Sequence, residues 1–163
     1  MTRTILTTTA LLAVSASLIA ATHDYRVSAP RSCRVQGFWE RIATIQGGKR
    51  TAVTGYREFK MLTRHNYVWL SAETRRDTLP LKTVSDTARY YGMQGGSGSY
   101  KVEGTKYIEH LTQFIDPKYE NKDAVFSCRI DGNIWYHSFT TNQFGDTTAA
   151  GRDTTTEVWR RIE

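Results

Sequence analysis

An Asp131-Gly132 dipeptide separates two runs of alternating residues, AVFSCRI over 124–130 and IWYHSFT over 134–140. Asp-Gly favours a tight two-residue turn because both central positions of that turn take a positive φ. Alternation of apolar and polar side chains is typical of a strand with one buried face. The pattern therefore predicts a β-hairpin in the second half of the chain.

Other short segments of the chain have the same strand-like composition and are bounded by turn residues. They cover residues 38–45, 52–63, 66–71, 99–103, 106–115 and 155–162. With the hairpin, they predict an all-β fold in which about eight strands form an antiparallel up-and-down meander. Closure of that meander into a β-barrel would remove its two exposed edges, and a two-sheet sandwich is the alternative. A barrel of about eight strands is either filled by side chains or holds one small ligand.

The segment 73–96 departs from this pattern and is predicted to be a lid over the mouth of the barrel. It is rich in charged residues, contains Pro80, and has Ser85 or Asp86 as the candidate N-cap of a short helix. The run Gly95-Gly96-Ser97-Gly98 lacks the Lys of a phosphate-binding loop. We therefore expect this run to be a flexible lead-in to the next strand.

The N-terminal residues 1–21 are expected to be a signal peptide. Arg3 precedes uncharged apolar or small residues over 5–20, and Ala20-Ala21 stands before the polar Thr22. This order is typical of a secretory signal with cleavage near Ala21, and an uncleaved membrane anchor is the alternative. We predict an arm over 22–34, a barrel domain over 35–163, and an extracytoplasmic (periplasmic or secreted) protein with no stable membrane insertion after the signal is removed.

The charge and the cysteines exclude some function classes. The 22 Lys and Arg outnumber the 16 Asp and Glu, for a net charge of +6, but they are scattered along the chain. Nucleic-acid binding needs a basic stripe, so no nucleic-acid partner is expected. Two cysteines are too few for a four-cysteine zinc site. Cys33 and Cys128 could form one disulfide in an exported chain, or Cys33 could be a free thiol and Cys128 a small core residue.

Two motifs at opposite ends of the domain point to a family. Gly37-Phe38-Trp39 begins the first strand, and Trp159-Arg160-Arg161 ends the last. In a closed meander these strands are neighbours, so a guanidinium can stack on the indole. The pairing resembles the signature of the lipocalins, or calycins. The segments 56–69, 95–110 and 157–161 resemble the small secreted bacterial lipocalin-like domains, and the whole resemblance covers residues 35–162. It implies a lipocalin-like β-barrel, and we expect Trp39 and Arg160 to close one end and stabilise it.

Strand alternation selects the side chains that point into the barrel. A turn near Gly104 places Tyr100 and Val102 on one face with Tyr107, Glu109 and Leu111. The Asp131-Gly132 turn similarly groups Phe126 and Cys128 with the inner residues of the following strand. The predicted ligand contacts are Tyr67, Trp69, Tyr100, Tyr107, Glu109, Trp135, His137 and Phe139.

Each of these contacts has a structural alternative. Glu109 could bind a ligand hydroxyl or act as a general base, or it could belong to a structural ion pair. His137 could contact a ligand or be a hydrogen-bonded core residue. The aromatic side chains could line a cavity or simply fill the core.

The expected function is an exported lipocalin-like protein that binds a small, mostly apolar molecule in the barrel interior, without a cofactor and without catalysis. One alternative is a barrel enzyme with isomerase-like or cyclase-like acid–base chemistry that uses Glu109 or His137. Another is a filled barrel that acts as an interaction module. The strand histidines lack the i, i+2 or i, i+4 spacing of a metal motif, so no metal is expected.

Overall fold

The computed structural model describes residues 33–140 and 154–163. The predicted signal peptide, residues 1–21, and most of the predicted arm lie outside the described residues, as does the segment 141–153.

The described residues form one antiparallel sheet of nine strands that closes on itself. The strands are β1 Gly37–Gln46, β2 Lys49–Ala52, β3 Tyr56–Leu62, β4 Asn66–Glu73, β5 Gln94–Glu103, β6 Lys106–Phe114, β7 Asp123–Asp131, β8 Ile134–Thr140 and β9 Thr154–Arg161. The order is β2-β1-β3-β4-β5-β6-β7-β8-β9, and β1 also pairs with β9. This closure confirms the predicted antiparallel meander and barrel of eight strands, with β2 as an additional strand.

Strand β1 is shared among three neighbours. On one edge its residues 37–40 pair with β3 and its residues 43–46 pair with β2. On the other edge Trp39 to Gln46 pair with β9, with a register irregularity between Arg41 and Ala43. A bulge of this kind increases the local bend of a strand. It therefore lets β1 pair with β3 in the barrel wall at one end and with the additional strand β2 at the other.

Strand β5 starts five residues earlier than the sequence pattern predicts. The run Gly95-Gly96-Ser97-Gly98 lies within the strand, so its prediction as a flexible lead-in is wrong. The reason is a close backbone approach, since a Cβ atom on Gly98 would overlap the carbonyl oxygen of His110 on β6. A register irregularity between Ser97 and Gly98 accompanies this contact. Glycine here permits tight strand packing.

The segment between β4 and β5 contains a 3-10 turn over Arg76–Thr78 and the helix α1 over Val84–Tyr91. The helix begins after Thr83, not at Ser85 or Asp86 as predicted. Thr83 Oγ1 accepts from the backbone N–H of Asp86 at 3.0 Å, and the Asp86 carboxylate accepts from the backbone N–H of Thr83 at 3.1 Å. This reciprocal capping box fixes the first turn. A second 3-10 turn, Pro117–Tyr119, follows β6. In the described ranges, no helix has the length and apolarity needed to cross a membrane.

One end of the barrel is closed by tightly packed indole rings. Trp39, Trp135 and Trp159 are fully buried. Trp39 donates its indole N–H to the carbonyl of Val35 at 2.7 Å, and its ring lies 5.5 Å from that of Trp135. This end is a filled core rather than a space for a ligand.

The guanidinium that covers Trp39 belongs to Arg161, so the role predicted for Arg160 is wrong. Arg161 Cζ lies 4.1 Å from the Trp39 ring centroid. Arg161 is the register partner of Trp39, whereas Arg160 is opposite Glu40 on the outer face and pairs with it at 2.8 Å. Side chains opposite one another on paired strands share a face, and a shift of one residue reverses the face.

A disulfide joins Cys33, just before β1, to Cys128 in β7, with their Cα atoms 6.1 Å apart. Both cysteines are buried in the same apolar cluster as the indole rings. The bridge therefore attaches the residues that precede β1 to strand β7 at the closed end.

Candidate functional site

The opposite end of the barrel contains a cavity of about 630 Å³. Its upper wall consists of apolar side chains, and Ser85, Ala88 and Arg89 of α1 lie at its mouth. Arg89 is held there by Glu73 at the end of β4, with a shortest N–O distance of 2.7 Å. The helix therefore lies beside the opening and not over the closed end. The apolar wall residues are Trp69, Leu111, Phe114, Ala124, Phe126 and Phe139.

Four of the eight predicted ligand contacts line this cavity, namely Trp69, Glu109, His137 and Phe139. The other four do not, because alternation predicts the face of a strand and not the level along the barrel axis. Tyr67, Tyr107 and Trp135 belong to the packed core beneath the cavity. Tyr100 also packs there and donates its hydroxyl to the carbonyl of Thr63 at 2.7 Å.

A buried ion pair forms one part of the cavity floor. Lys60 on β3 donates to Glu109 on β6 at 2.6 Å, and the two residues are only 2% and 4% exposed. Isolated charges at this depth would be strongly destabilising, so each requires the other. The Lys60 ammonium also lies 5.4–5.9 Å from the centroids of five rings, those of Tyr67, Tyr107, Phe126, Trp135 and Trp159. Rings at this distance stabilise a cation through their negative faces.

The Glu109 carboxylate affects the two tyrosines beneath it. Burial, and then the negative charge of Glu109, raise the pKa of Tyr67 and of Tyr107. Both hydroxyls are therefore neutral at physiological pH. Glu109 thus belongs to a structural ion pair with Lys60, which is one of the alternatives that the sequence left open.

A second group of charges is centred on Arg41 of β1. Its guanidinium donates to Glu58 of β3 at 2.8 Å and lies 3.3 Å from Glu157 of β9. Burial raises the pKa of Glu58, and the nearby negative charge of Glu157 adds to that rise while Arg41 opposes it. One guanidinium therefore serves two carboxylates.

His137 and Glu157 form a hydrogen-bonded pair beside Arg41. Nδ1 of His137 lies 2.9 Å from Oε2 of Glu157. Burial and the positive charge of Lys60 lower the pKa of His137, so its imidazole is neutral at physiological pH. Burial alone would raise the pKa of Glu157, but the hydrogen bond from His137, the charge that His137 acquires when acid protonates it, and the charges of Arg41 and Lys60 outweigh burial and lower the pKa to about 2.

This pairing fixes the tautomer of His137. A carboxylate can only accept, so Nδ1 carries the proton and Nε2 presents a lone pair. Within the described part of the chain, Nε2 is buried and has no hydrogen-bond partner. A buried polar atom without a partner destabilises the folded protein unless a ligand or water satisfies it. His137 is therefore a candidate hydrogen-bond acceptor in the cavity wall.

Four charged floor residues were not among the predicted site residues: Arg41, Glu58, Lys60 and Glu157. A signal for them exists in the sequence, because Arg41 alternates with Trp39 and Glu157 alternates with Trp159. Extending the inward face from each tryptophan by one alternation would have found both. Glu58 and Lys60 alternate with the apolar Leu62 in the same way.

Among the described residues, no group of three or more His, Cys, Asp or Glu side chains is arranged to hold a metal ion. The floor is instead an arrangement of ion pairs and hydrogen bonds between side chains of opposite sign. Chemically, such a floor can orient the polar group of a bound molecule.

Comparison with solved structures finds proteins that this chain resembles. The chain is similar to the crystal structure of a lipocalin-like protein from Bacteroides uniformis, at 11% identity and a TM-score of 0.46, covering 78% of this chain and 97% of that one. It is also similar to an uncharacterized protein from Bacteroides eggerthii, at 12% identity and a TM-score of 0.42, covering 77% of this chain and 98% of that one. No protein-family model and no curated protein matches the chain.

Proposed function

We propose that this lipocalin-like barrel is an exported binding protein that holds one small, mostly apolar molecule with a single polar end. The observation that carries the proposal is the cavity of about 630 Å³, which is open at one end and floored by a packed core. Binding sites for small molecules are typically concavities of ~300–1,000 Å³ with apolar walls and a few placed polar groups.

The two levels of the cavity suggest how the ligand is oriented. The rings of Trp69 and Phe114, 6.0 Å apart, belong to the apolar wall near the mouth. The charged residues and His137 lie deeper, next to the packed core. An apolar body would therefore contact the wall while its polar end reaches the floor. The presence of this space argues against the alternative of a fully filled barrel.

Export is supported by two separate features. Residues 1–21 have the composition of a secretory signal, and the Cys33–Cys128 bridge is of a kind that persists in oxidising compartments. N-terminal sequencing of the protein isolated from its native cells tests this part of the proposal. A mature chain that starts near Thr22 is expected, and a chain that retains Met1 would contradict cleavage of a signal peptide.

Binding is tested with N-phenyl-1-naphthylamine, an apolar fluorescent probe that is neutral at pH 7. We expect saturable binding with one site per protein. Ser71 lines the cavity on the inner face of β4, so Ser71→Trp should fill part of it and weaken binding at least ~10-fold, the equivalent of about 1.4 kcal/mol.

The matched control is Ser99→Trp, which introduces the same side chain at an exposed position of β5. This variant should bind the probe like the parent protein. Equal binding by parent and Ser71→Trp would show that the probe is not in the cavity and would contradict the proposal. Native mass spectrometry of the purified protein would then identify any small molecule that it retains.

A further inference from the structure

The side chains that line the cavity carry a surplus of negative charge. Three are cationic (Arg41, Lys60 and Arg89) and four are carboxylates (Glu58, Glu73, Glu109 and Glu157). The whole chain has the opposite sign, with a net charge of +6. The surplus is therefore a local property of the cavity.

The carboxylate that accounts for the excess negative charge is Glu58. Lys60 is committed to Glu109, and Arg89 to Glu73. In the described part of the chain, Arg41 is the one cation that forms salt bridges with both Glu58 and Glu157, at 2.8 and 3.3 Å. Its bond to Glu58 is made to Oε2, and the described residues form no hydrogen bond with Oε1. Glu58 is consequently a 5% exposed carboxylate that, among the described residues, shares its one salt-bridge partner with Glu157, although the charge of Lys60 also acts on it.

A second observation, independent of the carboxylates, points to the same chemistry. His137 lines the cavity and is 1% exposed, and its buried Nε2 has no hydrogen-bond partner among the described residues. A neutral imidazole nitrogen of this kind accepts from an N–H or O–H donor. A ligand carboxylate would offer it no proton and would add a fourth negative charge to the floor.

We propose that the polar end of the ligand is a cationic amine, which the floor binds through Glu58 and the lone pair of His137 Nε2. The inference rests on the proposed function and adds the chemical class of the ligand. An alkylammonium supplies the missing positive charge and N–H donors together, whereas an alcohol supplies only the donor.

The floor already binds one ammonium in this manner. Lys60 pairs with a carboxylate at 2.6 Å and lies among aromatic rings. A ligand amine would meet the same combination one level higher, where Phe126 and Phe139 line the cavity. Carboxylate and ring faces together favour a cation that has left water.

Isothermal titration calorimetry with three molecules of equal chain length, octylamine, octan-1-ol and sodium octanoate, tests the inference at pH 7. Octylamine is protonated at this pH, so we expect it to bind at least ~10-fold more tightly than octanol, and octanoate to bind most weakly. N-octylacetamide, which has the same nitrogen without the charge, should bind no better than octanol.

Glu58→Gln is the variant that addresses the site directly, because glutamine can still accept from Arg41 but carries no charge. It should reduce the preference for octylamine over octanol to about twofold or less. Glu103→Gln, an exposed carboxamide substitution at the β5–β6 turn, is the matched control and should leave the preference unchanged. The comparison of ligands in the parent protein remains decisive if Glu58→Gln does not fold.

The outcomes separate the two proposals. Binding of octanol as tight as that of octylamine, or a preference for octanoate, would overturn the amine inference and leave the small-molecule function standing. An amine preference that survives Glu58→Gln would overturn the assigned site. Failure of all the octyl compounds and of the fluorescent probe to bind would overturn the function and, with it, this inference.

Discussion

The two ends of the barrel are formed by the same strands but differ in the side chains that point inward. At the closed end the inward side chains are large, apolar and in mutual contact, with Trp39, Trp135 and Trp159 fully buried. At the open end the inward side chains of those same strands are Arg41, His137 and Glu157. One end stabilises the protein through burial, and the other retains space and charge for a ligand. A strand's inner face is therefore not uniform, and its chemistry changes within two residues.

The largest effect is expected from comparing one tryptophan from each end. Trp39→Ala removes a fully buried ring with a hydrogen bond to Val35 and should cost about 3–5 kcal/mol in the free energy of unfolding. Trp69→Ala removes a half-buried ring from the cavity wall, so it should cost less but weaken probe binding. Urea unfolding and probe titration measure the two effects. A loss below about 1 kcal/mol for Trp39→Ala would contradict the closed-end role.

The disulfide should come next. Cys33 and Cys128 are 95 residues apart in sequence, so the bridge restricts a long loop of the unfolded chain. Replacing both with serine should cost about 2–4 kcal/mol. Probe affinity should change little at a temperature where the variant is folded, because the bridge lies at the other end. Thermal unfolding with and without a reductant supplies the control, since the parent protein should lose stability on reduction and the double variant should not.

The open end should dominate the response to acid. The folded-state pKa of Glu157 is about 2, below that of an unfolded glutamate. Its contribution to the free energy of unfolding is therefore fully present above pH ~4.5 and is lost as the pH falls from ~4.5 toward 2. The lowered pKa of His137 likewise reduces the free energy of unfolding as the pH falls below ~6.5. Glu58, whose pKa is raised, opposes the trend.

We therefore expect the free energy of unfolding to fall between pH 6 and 3 by on the order of 2 kcal/mol through these groups. Glu157→Gln should flatten the fall, as measured by urea unfolding at a series of pH values. Asp77→Asn, which removes an exposed carboxylate, is the control and should leave the profile unchanged. A variant profile as steep as that of the parent would show that acid acts elsewhere in the molecule.

The smallest effect distinguishes two adjacent arginines. Arg161→Ala removes the guanidinium over Trp39 and its hydrogen bonds to the carbonyls of Arg34 and Gln36, and should cost about 1–2 kcal/mol. Arg160→Ala breaks a surface ion pair with Glu40 and should cost less than about 1 kcal/mol. Equal losses in thermal unfolding would mean that the stacking contributes nothing beyond a surface charge.

Alternation and turn chemistry were sufficient to predict the inner faces. The shared face of Tyr107, Glu109 and Leu111 is confirmed by exposures of 0%, 4% and 1%. The predicted hairpin between β7 and β8 also occurs, but Asp131 pairs with Ile134, so its two-residue turn is Gly132-Asn133 and not the predicted Asp131-Gly132. These features depend on neighbours in sequence, so a single chain contains the necessary information.

Features that depend on register between distant strands could not be predicted in the same way. Lys60 meets Glu109 across 49 positions, and only the relative shift of β3 and β6 brings them together. The exchange of Arg160 for Arg161 has a different origin, because Arg161 alternates with the inward-facing Trp159 and could have been predicted from β9 alone. The level of each inward side chain along the barrel axis also depends on strand stagger. For this reason Tyr67 lies in the packed core whereas Trp69 lines the cavity.

The seam between β1 and β9 has a consequence for how the protein is made. Its partners, such as Glu40 and Arg160, are 120 residues apart, so the barrel cannot be completed until the last strand has been synthesised. Until then β1 and β8 each have an unpaired edge, and such edges recruit strands from other chains. A chain cut short before Thr154 should therefore aggregate rather than form a smaller barrel, and folding should be slow because its closing contacts are so distant in sequence.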